Sequence, residues 1–167
     1  TAALKDVDLV VIGPDDYLAA GMTDFLQAKG FTVFGPTKSA AKLEWSKSFA
    51  KDVMRAAGIP FADSLSVDKE SLDRVAEKLG YPLVIKDDGL ALGKGVFICA
   101  NEPVALLALE SLQGKKIFAE KFLQGREVSL FAICDGTDYV VMEPACDYKR
   151  LNDGDRGPNT GGMGAYS

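Results

Sequence analysis

The stretch VIKDDGLALGKGV, residues 84–96, is the most informative segment of the sequence. A strand that ends on a lysine is predicted over Tyr81–Lys86, a glycine-rich turn over Gly89–Gly95 and a second strand over Val96–Ala100. Glycine lets backbone N–H groups come close to an anion, and lysine adds positive charge. The segment is not a Walker A loop, because Gly95 rather than Ser or Thr follows its Gly-Lys pair. It predicts either an anion-binding loop between two strands or a plain hairpin with a solvated lysine.

The residues before this stretch predict a parallel sheet. A buried strand over Asp8–Pro14, a helix over Leu18–Lys29 and a strand over Phe31–Phe34 form a βαβ unit, whose two strands run parallel. One long helix or a helix pair is predicted next, over Ser39–Ala57. The change from the βαβ pattern to mixed helices and strands near Pro36 predicts a domain boundary.

The rest of the chain predicts a mixture of helices and strands. Their predicted bounds are helices over Ser66–Leu79 and Pro103–Leu112, a strand over Lys116–Glu120, and a hairpin that joins Val128–Asp135 to Tyr139–Pro144 around Asp135-Gly136. The glycine-rich tail from Leu151 to Ser167 has little hydrophobic pattern.

The composition excludes several kinds of chemistry. The 167 residues contain no histidine, which rules out a Ser-His-Asp triad, a Cys-His pair, a histidine metal site and a histidine pH switch. The net charge of -5 argues against nucleic-acid binding, and the apolar runs are far shorter than the ~18 residues that span a bilayer. Three widely spaced cysteines without a CxxC pair predict reduced, buried thiols in a cytoplasmic protein.

A second candidate site is the segment FAEKFLQGREVS, residues 118–129. An apolar strand leaves into a short linker and resumes after Gly125. Such a hinge offers backbone N–H and C=O groups to a planar base, and a carboxylate such as Glu127 accepts hydrogen bonds from ribose hydroxyls. The alternative is a surface turn with solvated charges.

A third candidate site is the tail DYKRLNDGDRGPNTGGMGAY, residues 147–166. The pair Lys149-Arg150 and the run Gly-Pro-Asn-Thr-Gly-Gly can bind a phosphate and a carboxylate through charge and backbone amides. The alternative is a flexible linker, although Lys149, Arg150, Met163 and Tyr166 are unlike the residues of a Gly/Ser spacer.

Taken in this order, the segments resemble the phosphoribosylamine–glycine ligases, or glycinamide ribonucleotide synthetases, of the ATP-grasp superfamily. The resemblance includes DLVVIGP (8–14), VFGPTKSAAKLE (33–44) and SKSFAKDVM (46–54), and the tail is its most specific part. It covers essentially all 167 residues but less than half of the family's chain. The chain is therefore expected to be a fragment. It would lack the first strand of the substrate domain and the later part that carries the magnesium-binding Glu and Asn.

The resemblance implies an α/β fold of the α+β ATP-grasp type in four parts. Residues 1–36 would end a Rossmann-like parallel-sheet substrate domain, and residues 37–60 would form a linker helix into the ATP-grasp domain. Residues 61–124 would form the ATP-grasp lid, and residues 125–167 would begin the central ATP-grasp subdomain with its substrate loop.

The resemblance also implies an activity in de novo purine biosynthesis. ATP phosphorylates the carboxylate of glycine, and the amine of 5-phosphoribosylamine attacks the acyl phosphate to give glycinamide ribonucleotide, ADP and phosphate. ATP and Mg²⁺ are expected, with the metal ligands outside this chain. The expected partners are these small molecules, with no nucleic acid and no membrane, and the protein is expected to be a monomer. The 167-residue chain alone is expected to be inactive.

The resemblance further implies roles for individual residues. Catalytic roles fall to Lys86 and Arg150. Nucleotide binding falls to two phosphate-contacting lysines, Lys51 and Lys86, and to Gly93, Lys94 and Gly95 of the Gly89–Gly95 loop. The adenine hinge is Glu120, Phe122 and Leu123, and the ribose-binding acid is Glu127. Binding of the phosphoribosyl and glycine substrates falls to Asp147, Lys149, Arg150, Pro158, Asn159, Thr160, Gly161, Gly162 and Met163.

The sequence departs from the family pattern at six positions, two of which are Asp15 and Lys121, each in place of a glutamate. Asp87 and Leu92 replace alanines, Cys146 replaces a glutamine and Tyr148 a histidine. Asp87 either adds a negative charge beside Lys86 or points to solvent, because neighbours on a strand face opposite ways. Two other functions stay open: another ATP-grasp ligase, of the carboxyaminoimidazole or biotin-dependent type, against which the GPNTGGMG run argues, and a non-catalytic nucleotide-binding module.

Overall fold

The computed structural model of the chain describes residues 6–90 and 95–167. Strands β1 (Val10–Val11) and β2 (Val33–Phe34) pair in parallel, as the βαβ pattern predicts. The single helix predicted between them is wrong, because the segment forms α1 (Asp15–Ala20) and α2 (Met22–Gln27). Gly21 separates the two helices with a left-handed φ of 92°, which glycine adopts without the steric cost that a side chain brings.

The next segment is a helix pair, α3 (Lys38–Trp45) and α4 (Lys47–Ala56). Ser46 is buried between them, where it ends α3 and begins α4. Its hydroxyl accepts a hydrogen bond from the Phe49 N–H at 3.3 Å, which caps the first turn of α4. The sequence left open one helix or a pair, and the structure confirms the pair.

The centre of the molecule is a four-stranded antiparallel sheet. Its strands are β3 (Ser64–Ser66), β4 (Leu83–Asp87), β5 (Val96–Cys99) and β6 (Ile117–Lys121), in the order β3-β6-β4-β5. The sequence missed β3 and predicted a helix from Ser66 instead. Residues 64–66 pair with β6, and only then does the chain form α5 (Leu72–Leu79).

One face of this sheet carries the hydrophobic core. Helices α5 and α6 (Glu102–Ser111) pack on it, and Leu72, Leu83 and Ile85 are almost completely buried there. Burying a side chain of this size stabilises the fold by about 1.5–3 kcal/mol. Because strand residues alternate, Leu83 and Ile85 face the helices while Val84 and Lys86 lie on the other face of the sheet. Cys99 is buried in this core, as predicted.

The remainder of the chain consists of short antiparallel ladders. The predicted hairpin is confirmed as β7 (Ala132–Cys134) with β8 (Tyr139–Val141). The tail adds β9 (Cys146–Asp147) paired with β12 (Ala165–Tyr166), and β10 (Arg150–Asn152) paired with β11 (Arg156–Asn159). None of residues 121–167, all of which the structure describes, is buried. The prediction of a buried thiol is therefore wrong for Cys134, which is exposed.

Within the described ranges, no helix is both long enough and apolar enough to cross a membrane. The four-part division of the chain inferred from the family resemblance stays a prediction.

Candidate active site

Two lysines share one buried carboxylate on the face of the sheet opposite helices α5 and α6. The register that pairs Lys86 with Phe118 and Val84 with Glu120 places Lys86 diagonally across from Glu120 on this face. Lys86 Nζ pairs with Glu120 Oε2, and Lys51 Nζ, from α4, lies 2.7 Å from Glu120 Oε1. We call Lys51, Lys86 and Glu120 the lysine-rich cluster. It holds two positive charges and one negative charge.

The two lysines of the lysine-rich cluster differ in their surroundings. Lys51 is 8% exposed, donates to the Ala62 carbonyl at 3.0 Å and lies 4.9 Å from the centroid of the Phe61 ring. Its ammonium group is therefore held by a carboxylate, a carbonyl and an aromatic face. The side chain of Lys86 is 26% exposed. Of the two lysines that the sequence assigns to phosphate, Lys86 is the more open to a ligand.

A cleft of about 180 Å³ opens beside Lys51, between α4 and the edge of the sheet. Its lining consists of one face of α4 and parts of β3 and β6, namely Ser48, Lys51, Asp52, Arg55, Ser64, Leu65, Ser66, Lys116, Ile117 and Phe118. Lys86 and Glu120 do not line it. The cleft therefore reaches the lysine-rich cluster from the side of α4.

Asp87 lies on the opposite face of the sheet from Lys86. It is 7% exposed and lies 2.7 Å from Lys115 Nζ. Strand alternation, on which the second alternative for Asp87 rested, correctly places its carboxylate on the face away from Lys86, but the carboxylate is buried and does not point into solvent. The alternative that it adds a negative charge beside Lys86 is wrong. The pairing with Lys115, 28 residues along the chain, offsets the cost of burying its charge.

Asp88 is a buried carboxylate that the sequence did not single out. Its oxygens accept hydrogen bonds from the Ser48 N–H at 2.8 Å and the Ser48 hydroxyl at 2.6 Å, and Lys116 Nζ lies 2.8 Å away. Burial by itself would raise the pKa of Asp88, but the hydrogen bonds from Lys116 and Ser48 outweigh it and lower the pKa from 3.8 to about 2. Asp88 is therefore fully ionised at neutral pH.

The predicted hinge follows β6 directly. Phe122 and Leu123 lie past the last residue of the strand, and Leu123 is exposed. The Lys121 N–H donates to the Asp63 carbonyl at 2.9 Å, which ties the end of β6 to the residue before β3. The strand is therefore followed by a half-buried Phe122 and an exposed Leu123, and their role as an adenine hinge stays a prediction.

A second cluster lies in the C-terminal ladders, where Lys149 contacts two carboxylates. Lys149 Nζ lies 2.7 Å from Asp147 Oδ1 and also pairs with Glu127. We call Glu127, Asp147 and Lys149 the carboxylate-rich cluster. The hydrogen bonds to Asp147 and Glu127 raise the pKa of Lys149. Among residues 6–90 and 95–167, no side-chain hydrogen bond or ion pair joins this cluster to the lysine-rich cluster.

The predicted substrate segment folds back onto Lys149 and Arg150. The Thr160 N–H and hydroxyl both donate to the Lys149 carbonyl, at 2.7 and 3.0 Å, and the Gly162 N–H donates to the Thr160 hydroxyl at 3.0 Å. Arg150 donates to the Gly157 carbonyl at 2.8 Å. Residues 158–163 are thus anchored by specific hydrogen bonds, as a flexible linker would not be. The structure places Pro158, Asn159, Gly161 and Met163 on this exposed segment.

Part of the predicted glycine-rich loop is described by the structure. Gly93 and Lys94 lie outside the described residues. Gly95 is described, and its carbonyl accepts the Asp87 N–H at 3.0 Å. Among the described residues, no group of three or more Cys, Asp or Glu side chains is arranged to hold a metal ion. The residues that the structure describes therefore do not form a Mg²⁺ site by themselves.

The antiparallel sheet with two helices on one face is part of an ATP-grasp fold, as the family model and the solved structure below show. The family described as "Phosphoribosylglycinamide synthetase, ATP-grasp (A) domain" matches residues 45–167, and "Phosphoribosylglycinamide synthetase, N domain" matches residues 1–44. The chain belongs to the phosphoribosylglycinamide synthetase family. The predicted fold class and the resemblance drawn from the sequence are both confirmed.

Relatives with curated names agree with this. The phosphoribosylamine–glycine ligase of Streptococcus pneumoniae serotype 4 is 46% identical, over 99% of this chain and 42% of its own length. That of Streptomyces coelicolor is 48% identical, over 96% of this chain and 38% of its own length. The chain therefore spans about two fifths of the length of these relatives.

Solved structures support the same family and fold. The crystal structure of phosphoribosylamine–glycine ligase from Thermotoga maritima matches with a TM-score of 0.80 and 36% identity, over 98% of this chain and 43% of that one. A carboxyaminoimidazole ribonucleotide synthase from Aspergillus clavatus, complexed with ATP, matches with a TM-score of 0.68 and 23% identity, over 83% of this chain and 37% of that one. The second likeness shows the fold alone.

Proposed function

We propose that the protein carrying this chain is an ATP-dependent ligase that joins glycine to 5-phosphoribosylamine. The observation that carries the proposal is the match of both phosphoribosylglycinamide synthetase domains in order, over residues 1–44 and 45–167. The terminal phosphoryl group of ATP passes to a carboxylate oxygen of glycine, giving ADP and glycyl phosphate. The amine nitrogen of phosphoribosylamine then bonds to the acyl carbon, the phosphate leaves, and glycinamide ribonucleotide results.

This chemistry suits a chain without histidine. Phosphoryl transfer asks a protein mainly for positioning and for stabilisation of negative charge, so lysines and backbone amides can supply it. The lysine-rich cluster has one positive charge in excess, and Lys86 is its more exposed member. A nucleotide phosphate beside Lys86 would balance that charge.

We infer the other roles from position in the fold. Lys51 and Lys86 contact the nucleotide phosphates, and Glu120 holds both ammonium groups in place at the start of the adenine hinge. The backbone at Phe122 and Leu123 pairs with the adenine. Glu127 binds the ribose hydroxyls. The phosphoribosyl and glycine substrates bind at the C-terminal ladders, through Asp147, Lys149, Arg150 and the segment 158–163. The family resemblance, rather than position in the fold, assigns Gly93, Lys94 and Gly95 to the phosphates.

Three further expectations belong to the same proposal. ATP is used together with Mg²⁺, whose ligands come from residues other than those described here. The protein acts as a monomer in the cytoplasm on small-molecule substrates, with no nucleic-acid or membrane partner. The 167-residue chain by itself shows no ligase turnover.

The proposal is tested on the protein expressed from its complete reading frame. Phosphate release is measured with ATP, Mg²⁺, glycine and phosphoribosylamine, and each substrate is omitted in turn. We expect release that requires both glycine and phosphoribosylamine, with glycinamide ribonucleotide as product. Hydrolysis that does not depend on glycine, or no hydrolysis, would overturn the proposal and favour a different ATP-grasp ligase or a non-catalytic module.

The role of Lys86 is tested with Lys86→Ala in the same protein. Loss of a charge-assisted hydrogen bond to phosphate is expected to lower kcat/KM for ATP by about 10- to 100-fold. Lys69→Ala is the matched control, because Lys69 is an exposed lysine whose partner is Glu110 on the surface. Equal kinetics for Lys86→Ala and the control would show that Lys86 does not contact the nucleotide.

A further inference from the structure

Two separate connections join helix α4 to strand β4 and the residue after it, on the face of the sheet opposite helices α5 and α6. The first is the lysine-rich cluster, in which Glu120 bridges Lys51 and Lys86. The second is the contact between Ser48 and Asp88. Ser48 and Lys51 are three residues apart on α4 and therefore share a face of the helix. Lys86 and Asp88 are two residues apart and share a face of the extended chain.

The contact at Asp88 is a built site rather than a chance surface pair. The Asp88 side chain is 3% exposed, and both of its oxygens are engaged by Ser48. The Asp88 N–H also donates to the Lys116 carbonyl at 2.9 Å, which continues the sheet ladder one residue past β4. Lys116 Nζ completes a triangle, because it lies 2.8 Å from Asp88 and 2.9 Å from the Ser48 hydroxyl.

Asp88 also completes the N-terminus of α4. The Ser48 N–H belongs to the first turn of the helix, where backbone amides have no partner within the helix. A carboxylate at this end is favoured by the helix dipole as well as by the hydrogen bond. A neighbouring contact, from Lys47 Nζ to the Gly89 carbonyl at 2.8 Å, ties the same turn to the residue after Asp88.

We propose that Asp88 is a positioning residue for the nucleotide site. It fixes the first turn of α4 to the end of β4, and this sets where Lys51 stands relative to Glu120 and Lys86. The position of Lys86 then determines how tightly the protein binds the phosphate groups of a nucleotide. The inference rests on the proposed function only in naming ATP as the ligand.

The test is Asp88→Asn in the protein expressed from its complete reading frame. Binding of a non-hydrolysable ATP analogue is measured by calorimetry, and kcat and KM for ATP are measured in the ligase assay. The amide keeps the shape but loses the charge that Ser48 and Lys116 contact, so α4 is held less firmly. We expect the Kd of the analogue and the KM for ATP to rise about fivefold or more, with kcat changed by less than about twofold.

The matched control is Asp87→Asn. Asp87 is the adjacent residue, is similarly buried and has one lysine partner, but lies on the opposite face of the sheet. It is expected to lower the Tm as Asp88→Asn does while leaving the Kd of the analogue unchanged. Equal losses of nucleotide affinity in the two variants would overturn the proposal, because they would show a general effect of weakening the sheet.

Ser48→Ala keeps the proposal testable if Asp88→Asn does not fold. It removes the hydroxyl bond but keeps the N–H bond, so the Kd of the analogue is expected to rise about twofold. Adding Ser48→Ala to Asp88→Asn is expected to change the Kd of the analogue little further, because both substitutions weaken the same contact between Ser48 and Asp88. Wild-type nucleotide affinity in both single variants would overturn the role of Asp88. If the proposed function is wrong, the wild-type protein will show no glycine-dependent activity. The binding assay does not depend on that activity, so it tests the role of Asp88 separately.

Discussion

The lysine-rich and carboxylate-rich clusters are mirror images in charge. In the first, two lysines share one carboxylate, Glu120, which is 6% exposed. In the second, two carboxylates share one lysine, and the side chain of Glu127 is 70% exposed. The first has a positive charge to spare and the second a negative one. The difference suits the first to phosphate and the second to hydroxyl or amine groups.

The surroundings of the two clusters make this difference matter. Charges removed from water interact strongly and are costly when unpaired, whereas exposed charges are screened. The lysine-rich cluster stands on a sheet whose other face is a hydrophobic core. The carboxylate-rich cluster stands on short ladders in which no residue is buried. The first site is therefore coupled to the stability of the fold, and the second is not.

The largest effect is expected from Glu120→Gln. The change leaves the ammonium groups of Lys51 and Lys86 close together without a balancing charge. We expect the free energy of unfolding to fall by about 3–5 kcal/mol, measured by urea denaturation with far-UV circular dichroism. Glu110→Gln, which breaks an exposed ion pair with Lys69, is the control and is expected to leave the urea midpoint unchanged. Similar midpoints for the two variants would contradict the coupling of the lysine-rich cluster to stability.

The next effect concerns the scaffold under each cluster. Ile85→Ala removes a fully buried side chain from the strand that carries Lys86, and we expect a loss of about 3 kcal/mol in the free energy of unfolding. Val140→Ala, in the ladder region, removes a side chain that is 69% exposed, and we expect a change within about 0.5 kcal/mol. The same denaturation experiment measures both variants. A comparable loss at Val140 would mean that the ladders are packed as tightly as the sheet.

The sequence predicted the parts of these two regions that depend on local pattern. The hairpin around Asp135-Gly136 and the helix pair over 38–56 follow from turn residues and periodicity within a few residues. The missed strand β3 has only three residues and takes its structure from its pairing with β6, more than 50 residues later. A partner that distant leaves no local signal.

The candidate site likewise depends on contacts between residues that are far apart in the sequence. Local sequence predicts the strand-end Lys86 and the hinge carboxylate Glu127 as site residues, whereas the assignment of Glu120 came from the family resemblance. That Glu120 bridges two lysines depends on the register of β4 with β6 and on the placement of α4. Strand alternation alone predicts that Asp87 faces away from Lys86, but the distant Lys115 that keeps it buried appears only in the fold.

A smaller effect concerns the pH dependence of stability near the lysine-rich cluster. The folded-state pKa of Asp88 is lowered from 3.8 to about 2, so its contribution to stability is present above pH 3.8 and is lost as the pH falls towards 2. We expect the difference in free energy of unfolding between wild type and Asp88→Asn to shrink by about 1 kcal/mol from pH 5 to pH 3. Denaturation of both proteins across this range measures it. A difference that does not change with pH would contradict the ionised, hydrogen-bonded state of Asp88.

The smallest effect on stability is expected from Glu127→Gln in the carboxylate-rich cluster. An exposed ion pair contributes little, so the free energy of unfolding should change by less than about 0.5 kcal/mol. The pKa of Lys149 should nevertheless fall, because one of the two carboxylates that raise it is removed, and NMR titration of the lysine side chain measures this.

In the complete protein, Glu127→Gln should raise the KM for ATP, whereas Glu143→Gln, a neutralisation elsewhere in the ladders, should leave it unchanged. Substitution of Glu127 would then change ATP binding without changing the free energy of unfolding, whereas substitution of the buried Glu120 would change both. A large loss of stability in Glu127→Gln would remove that distinction, because it would show that the exposed cluster also holds its region together.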